Sequence, residues 1–441
     1  MKVFKFGGAS VKDAEAVKNV ADILTSYSNS NIVVVVSAMG KTTNAIERLT
    51  RASFYREGNA GEILTEIKAF HFDIIKKLFS DKNHKIYDEV YNTFLEIERR
   101  IEKKPKKDHD FEYDQIVSAG ELLSTKIVSA WLNQAGVANK WMDVRDFLKT
   151  DSTWREAKVD WELTEKLIKA AFHKHFIPQD LQDYQNRGGT MGRRVIVTQG
   201  FIGATPDNYT TTLGREGSDY TAAIIASLLD AVEVVIWKDV PGVLNADPKW
   251  FDETQKLDAI SYHEAIELSF FGAKVLHPKT IKPLQNKSIP LWVKSFYSPG
   301  EKGTLITNEK DLPAVEAATA HAIPSFIFKV NQVLISISPR DFSFIVEENL
   351  SDIFGHFAKY GIKVNMMQHS AISFSVCVDD DKSKLPQLID KLQWDFKVLY
   401  NENLELITIR HYDQPTIDRV TKEKKILVEQ RTRQTARFVV K

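Results

Sequence analysis

With 441 residues, at a rough ~150 residues per domain, the chain has room for two or three domains and at least one large core. Lysine plus arginine and aspartate plus glutamate both number 59, which excludes the basic field of a nucleic-acid-binding protein and the acidic excess of a solvating tail. The single cysteine, Cys377, excludes an internal disulfide framework and a multi-cysteine zinc site. No secretory leader follows Met1 and no apolar run reaches the ~18 residues of a membrane span, so a cytoplasmic protein with small-molecule partners, or copies of itself, is expected.

Val3 to Phe6 reads as a short strand, Gly7 and Gly8 turn the chain, and Val11, Val17, Val20, Ala21 and Leu24 recur at helical spacing. Ile32 to Val36 is apolar at every position and β-branched, as a central parallel strand covered on both faces must be. From about Glu62 to Ile101 the apolar positions follow one helical period. The charged run RRIEKKPKK at its end reads either as a phosphate-binding patch or as a solvated helix end and loop. Val195 to Gly203 and Val232 to Trp237 are further strand runs, and between them TTTLGREGSDYTAAIIASLL sets a glycine-rich loop directly before a helix. IPLWVKS and Gly303 to Ile306 close the pattern of an α/β domain whose ligand crevice lies at the carboxyl ends of its strands.

Beyond Pro313 the texture changes. VLISISP, a helix with Leu350, Ile353, Phe354, Phe357 and Ala358 on one face, KVNMMQ, AISFSVCV, a helix around Leu385 to Leu392, and FKVLY read βαββαβ. LELITIR, a short helix near Ile417, KKILVEQ and TARFVV read as an incomplete second copy. The expected division is residues 1–305 for the α/β domain and 306–441 for the tail, with modules at about 326–400 and 401–441.

The opening KFGGAS is neither a P-loop, which sets its lysine after the glycines, nor a GxGxxG dinucleotide turn. Gly7 and Gly8 can bring backbone N–H groups close to an anion, Ser10 begins a helix, and Lys5 can add a point charge, although a purely structural strand–turn–helix reads the same way. In SAGELLS, Glu121 either complements a helix dipole or holds an ammonium group. LGREGSD presents Arg215, Ser218 and Asp219 on a glycine-bounded loop, as a bidentate carboxylate clamp or as a surface turn. WKDVPGVLNADP carries Lys238 and Asp239, and FGAKVLHP carries Lys274, each unremarkable by itself. His71, His173, His175 and His277 lack a matching ligand set and read as structural, with no resident metal site.

KFGGAS, VVSAMGKTTN, SAGE, TQGFIG with TTTLGREGSDYTAA, KDVPGVLNADP and FGAKVLHPKTIKPL occur in this order between residues 5 and 284. Together they resemble the aspartate kinases of the amino acid kinase family, which move the γ-phosphoryl group of MgATP onto the β-carboxylate of aspartate, the first step toward lysine, methionine and threonine. The resemblance implies a mainly parallel sheet between helices followed by ferredoxin-like ACT modules. It implies Lys5 and Asp219 as catalytic, and Ser37, Thr43, Glu121, Arg215 and Ser218 as substrate-binding. Lys5, Gly7, Gly8, Ser10, Lys238, Asp239 and Lys274 fall on the nucleotide side. It further implies ATP with Mg²⁺, a lysine or threonine effector at the tail, and a homodimer through the ACT modules.

Ala9, Glu216 and Leu244 stand where the family commonly carries threonine, glycine and, in some members, tyrosine. Asn365 stands where lysine-sensitive members can carry aspartate, which puts lysine feedback in question. The short second module and the end at Lys441 fit a monofunctional enzyme. A kinase acting on another acceptor keeps the same fold; a non-catalytic amino-acid sensor would have little use for the charged set Lys5, Glu121, Arg215, Asp219 and Lys274.

Overall fold

Ile32–Val36 is buried at all five positions, and a run without polar alternation can satisfy its backbone only in the middle of a sheet. A computed structural model of the chain, which describes residues 1–105, 107–176, 194–251, 253–273, 276–313, 323–341 and 343–441, places it there. Two compact units divide the chain. One comprises Met1–Val243, Asp258–Ile266 and Val275–Ala317; the other comprises Leu244–Leu257, Glu267–Lys274 and Ala318–Lys441.

In the first unit β1 (Lys2–Phe6) leads to α1 (Ala14–Ser26), β2 (Ile32–Val36) and a series of helices: α2 (Thr42–Tyr55), α3 (Ala60–Leu78), α4 (Ile86–Glu102), α5 (His109–Val117) and α6 (Ala119–Gln134). Then come β3 (Asn139–Met142), α7 (Trp161–Phe176), β4 (Val195–Gln199), β5 (Ile202–Ala204), β6 (Thr210–Thr212), α8 (Gly217–Leu228), β7 (Glu233–Lys238), β8 (Ala259–Ser261), α9 (Tyr262–Phe271, of which Glu267 onward is assigned to the second unit), α10 (Pro278–Asn286), β9 (Leu291–Ser295) and β10 (Thr304–Thr307). The main sheet runs β3-β4-β2-β1-β7-β9-β10-β8, parallel at every pairing except β9 with β10. The aromatic rings of Phe4, Phe6, Trp237 and Phe296 pack on one face of β1, with Phe6 and Trp237 stacked at 6.0 Å. Truncating such a ring costs roughly 3–5 kcal/mol, so this cluster fixes the strands that carry the site.

The stretch of helical periodicity expected from about Glu62 to Ile101 forms two helices, α3 and α4. Phe79 leaves α3 in an extended conformation, the Asp81 carboxylate accepts from the Asn83 N–H, and His84 Nδ1 accepts from the Ile86 N–H at the start of α4. Local side-chain bonds thus interrupt a period that the apolar residues carry through. The charged run ends α4 at Glu102, where Arg100 pairs with Glu112 at 3.0 Å and Arg56 donates to the Lys103 carbonyl. Val195 to Gly203 is likewise two strands, because Phe201 takes a left-handed φ of 73° between them.

The second unit is built on β11 (Ser325–Ser338), α11 (Glu347–Tyr360), β12 (Val364–Ser370), β13 (Ser373–Asp379), α12 (Leu385–Asp395), β14 (Lys397–Arg410), α13 (Gln414–Thr421), β15 (Ile426–Arg431) and β16 (Thr435–Val440). Its antiparallel sheet has the order β12-β13-β11-β14-β16-β15. FKVLY and LELITIR, assigned above to different modules, are one strand, so β14 runs through the position that separated them. Asn331 and Asn403, at φ of 54° and 57°, lie in the irregular stretch where β11 and β14 shift register without breaking. The first half of β11, Ser325–Lys329, pairs with Leu406–Arg410. Ser325–Lys329 thus lies beside the second half of β14, on the side opposite β16.

No helix among the described residues is long and apolar enough to cross a membrane.

Candidate active site

Alternation along β1 sends Phe4 and Phe6 to the aromatic face and Lys5 to the other. The Lys5 ammonium lies 2.6 Å from Oδ1 of Asp219, which stands in the first turn of α8. Lys238, at the end of β7, brings its own ammonium 3.9 Å from Oδ2. Burial alone would push the Asp219 carboxyl up; the two lysines outweigh it and hold the group below the ordinary carboxylate value.

The turns after β1 and β2 interlock. Ser37 donates its N–H to the Phe6 carbonyl and Gly40 to that of Gly8, both at 3.0 Å. A Cβ on Gly8 would lie 2.7 Å from the Gly40 oxygen and 2.8 Å from that of Ala38, so no side chain fits; one on Gly7 would meet only Lys5 Nζ, at 3.3 Å. Ser10 is buried and its hydroxyl donates to the Trp237 carbonyl, tying this turn to the end of β7.

Glu121 sits in the first turn of α6, and Gly120 beside it lets that turn press against Ala38 and Ile46. Its Oε1 accepts the Ala38 N–H at 3.3 Å, while the buried Oε2 has no hydrogen-bond partner. Burial pushes this carboxyl up to about 8 against the opposing Ala38 hydrogen bond. At neutral pH this carboxyl is therefore mostly protonated, and a cation placed beside Oε2 would favour its ionised form. Arg215 rides a turn made by the left-handed Gly214 and Glu216, and α8 starts close against the preceding strand because Gly217 has no side chain to meet Phe201 and Gly200 none to meet Ser218.

These groups converge on one cavity of about 560 Å³, lined by Lys5, Ser37, Thr43, Glu121, Arg215, Ser218, Asp219 and Lys238 from the expected set. Gly7, Gly8 and Ser10 do not line it, and Asp239 is exposed just past β7. Lys274 lies outside the described residues.

A model of the amino acid kinase family matches residues 1–295. The chain is 32% identical over 378 residues to lysine-sensitive aspartokinase 3 of Escherichia coli strain K12, covering 86% of this chain and 78% of that one. The chain belongs to the amino acid kinase family, among its aspartokinases. It is 33% identical over 398 residues to the chloroplastic aspartokinase 1 of Arabidopsis thaliana, spanning 65% of that protein's length. The crystal structure of E. coli aspartokinase III in complex with aspartate and ADP superposes with a TM-score of 0.78 at 29% identity, covering all of this chain and 96% of that one. This aspartokinase therefore carries the family's kinase fold together with a unit built on the second, antiparallel sheet.

Several lining residues of this aspartokinase fall outside the motifs read from its sequence. Glu47 could have been found, because α2 puts it on the same face as Thr43, four residues earlier in the motif that ends at Asn44. Tyr113, Arg155 and Glu156 could not: they come from α5 and from a loop whose approach depends on the buried Asp114, and no spacing announces that. Asp114 accepts from the backbone N–H groups of Arg155 and Thr212 and from the Thr212 hydroxyl; burial nevertheless pushes its carboxyl up to about 6.

None of His71, His173, His175 and His277 lines the cavity. His71 is buried with Nδ1 2.7 Å from the Ile67 carbonyl, and burial lowers its pKa to about 4, so the ring is neutral. His277 accepts the Lys279 N–H as the cap of α10. His175 offers its carbonyl to Arg194, and His173 is exposed. Cys377 is buried in the second unit's sheet.

Proposed function

We propose that this aspartokinase transfers the γ-phosphoryl group of MgATP to the β-carboxylate of L-aspartate, giving 4-phospho-L-aspartate, the first step toward lysine, methionine and threonine. The observation that carries this reading is that one cavity holds a guanidinium suited to a carboxylate and a buried carboxylate oxygen without a partner. Two ammonium groups stand beside them around Asp219. An acceptor bearing both carboxylate and ammonium, with a phosphoryl donor next to it, matches that set. The E. coli protein described with aspartate and ADP supports the same pairing of ligands.

Arg215 grips the α-carboxylate, Glu121 takes the α-ammonium on its free oxygen, and Ser37, Thr43 and Ser218 hydrogen-bond the acceptor or the phosphate. The attacking carboxylate has an ordinary pKa near ~4 and is ionised at neutral pH, so no general base is needed. Catalysis is then positioning and charge stabilisation. Lys5 and Lys238 neutralise the phosphoryl oxygens in transit, and Asp219 holds both lysines in place. Gly7, Gly8 and Ser10 shape the turn on which the phosphates rest, with Asp239 and Lys274 on the nucleotide side. Mg²⁺ enters with the nucleotide as part of the substrate; no cluster of three or more carboxylate, imidazole or thiol groups suited to a metal ion exists among the described residues, and Mg²⁺ ordinarily relies on phosphate oxygens and water.

The tail, read as residues 306–441, is proposed as a pair of ACT modules that joins two copies of the chain and senses an amino acid. Asn365 there accepts from Lys329 Nζ at 2.8 Å and donates to Gln332 and Asp379, both at 2.9 Å; the E. coli aspartokinase III described with lysine and aspartate supports lysine as the candidate effector. Coupled detection of ADP with aspartate, glutamate, N-acetylglutamate and UMP as acceptors, with and without lysine and threonine, tests the assignment. Turnover with aspartate alone supports it; turnover with another acceptor replaces it, and ADP from none leaves the sensor reading. A monomer mass in light scattering at micromolar concentration removes the dimer.

A further inference from the structure

Glu47 and Arg155 line the same cavity as Lys5 and Arg215 but belong to none of the motifs that mark the site. Arg155 takes a left-handed φ of 68°, a conformation that glycine adopts freely and a branched or long side chain pays for in strain. The turn is held by its backbone N–H, which donates to both oxygens of the buried Asp114 at 3.2 and 3.0 Å. From that fixed point the guanidinium lies 4.2 Å from the centre of the Tyr113 ring. Its Nη2 is 2.9 Å from Glu47 Oε1, and its Nη1 is 3.5 Å from Asp110 Oδ1. Glu47 stands one helical turn after Thr43 on the cavity face of α2. The segment carrying Arg155 also lies against the Arg215 turn, since a Cβ on Gly214 would meet the Arg155 carbonyl and Glu156 Cγ, each at 3.2 Å.

We propose that Arg155 is a specificity-determining residue of the acceptor site, a second guanidinium at the rim that favours an amino acid with two carboxylates, and that Glu47 is the positioning residue that aims it. The proposal rests on the reading of this cavity as an aspartate site. Both side chains are partly open to solvent, at 39% and 46%, so the pair is reachable by an entering anion. A salt bridge that merely stapled α2 to the loop would be of small worth at that exposure and would have no reason to occupy a left-handed position. Ring, carboxylate and strained backbone instead fix the direction of one cation.

The test is ATP-dependent hydroxamate formation from aspartate, with KM and kcat measured separately. Arg155→Gly keeps the N–H that Asp114 needs and relaxes the turn, so its melting temperature is unchanged or higher. Its KM for aspartate rises about tenfold or more with kcat within about twofold and KM for ATP unchanged, the pattern of lost uniform binding. Arg155→Lys recovers part of the loss. Glu47→Gln raises the aspartate KM by a smaller factor, about threefold, and adds nothing on top of Arg155→Gly because it acts through that residue. An unchanged aspartate KM in Arg155→Gly, a shift in the ATP KM instead, or effects that multiply in the double variant overturns the proposal while leaving the kinase reading intact. A wild-type protein that forms no hydroxamate from aspartate overturns the kinase reading itself, and this proposal with it.

Discussion

Lys5 and Asp219 stand 2.6 Å apart, one at the end of the first strand and the other in the first turn of α8, with almost no exposure of the carboxylate. Such a pair is costly to desolvate and is weak evidence for stability, but it fixes where a positive charge sits before any substrate arrives. Asp219→Asn is expected to cut turnover by roughly 10²–10³-fold. Leaving Lys5 buried with a poorer partner costs about 2–4 kcal/mol of stability. Because Asp219 orients rather than abstracts a proton, raising the pH does not restore the rate; recovery of full rate at alkaline pH, followed in a pH–rate profile, contradicts that role.

Glu121 gives a pH dependence with a definite sign. Its carboxyl is raised in the folded chain from 4.5 to about 8, so the fold binds this proton more tightly than the unfolded chain does. The associated stability is fully present below the unfolded value and is lost as pH climbs toward 8. Glu121→Gln removes that loss: without ligand the variant melts higher than wild type by a margin that grows from pH 5 to pH 8 and reaches on the order of 2–4 kcal/mol. Aspartate binding at pH 7 must ionise Glu121, so calorimetry in buffers of different ionisation enthalpy should show a proton released. No buffer dependence would mean that Glu121 does not meet the ammonium group.

The two glycines of the opening turn are not equivalent. Gly8→Ala drives a Cβ into two backbone oxygens of the neighbouring turn, which must move. It should cost about 1–3 kcal/mol and at least tenfold in turnover. Gly7→Ala meets only the flexible end of Lys5, so its melting temperature stays close to wild type while turnover falls as the ammonium is displaced. Thermal melts of the two variants side by side separate these outcomes.

Much of this fold and site could be read in the sequence because the informative residues lie in local runs. β2 announces itself by five apolar residues in a row, and the KFGGAS and LGREGSD loops carry their glycines where the backbone requires them. What stayed hidden depends on long-range approach. Arg155 reaches the cavity only because Asp114, on another helix, holds its turn. The division of the helical span at Phe79 follows from side-chain bonds that do not alter the apolar period. The joining of two expected strands into β14 is a property of pairing with β11, which neither stretch encodes alone.

That pairing has a measurable consequence. Phe326 is buried in the cluster with Ile407, Ile409 and Phe438 and stacks on Phe251 at 4.7 Å. Phe326→Ala is expected to destabilise the second unit by roughly 3–5 kcal/mol. Hydrogen exchange should show lost protection across β14 and β16. Protection unchanged in those strands would mean that Ser325–Lys329 is not an integral part of that sheet.

The most direct test of the whole account is to trap the product with hydroxylamine in the presence of MgATP and either aspartate or glutamate. Hydroxamate from aspartate in preference to glutamate is the predicted result, because the cavity offers guanidinium groups for carboxylates, one ammonium acceptor and a phosphoryl site set by Lys5. Hydroxamate from glutamate in preference, or from neither, would contradict it.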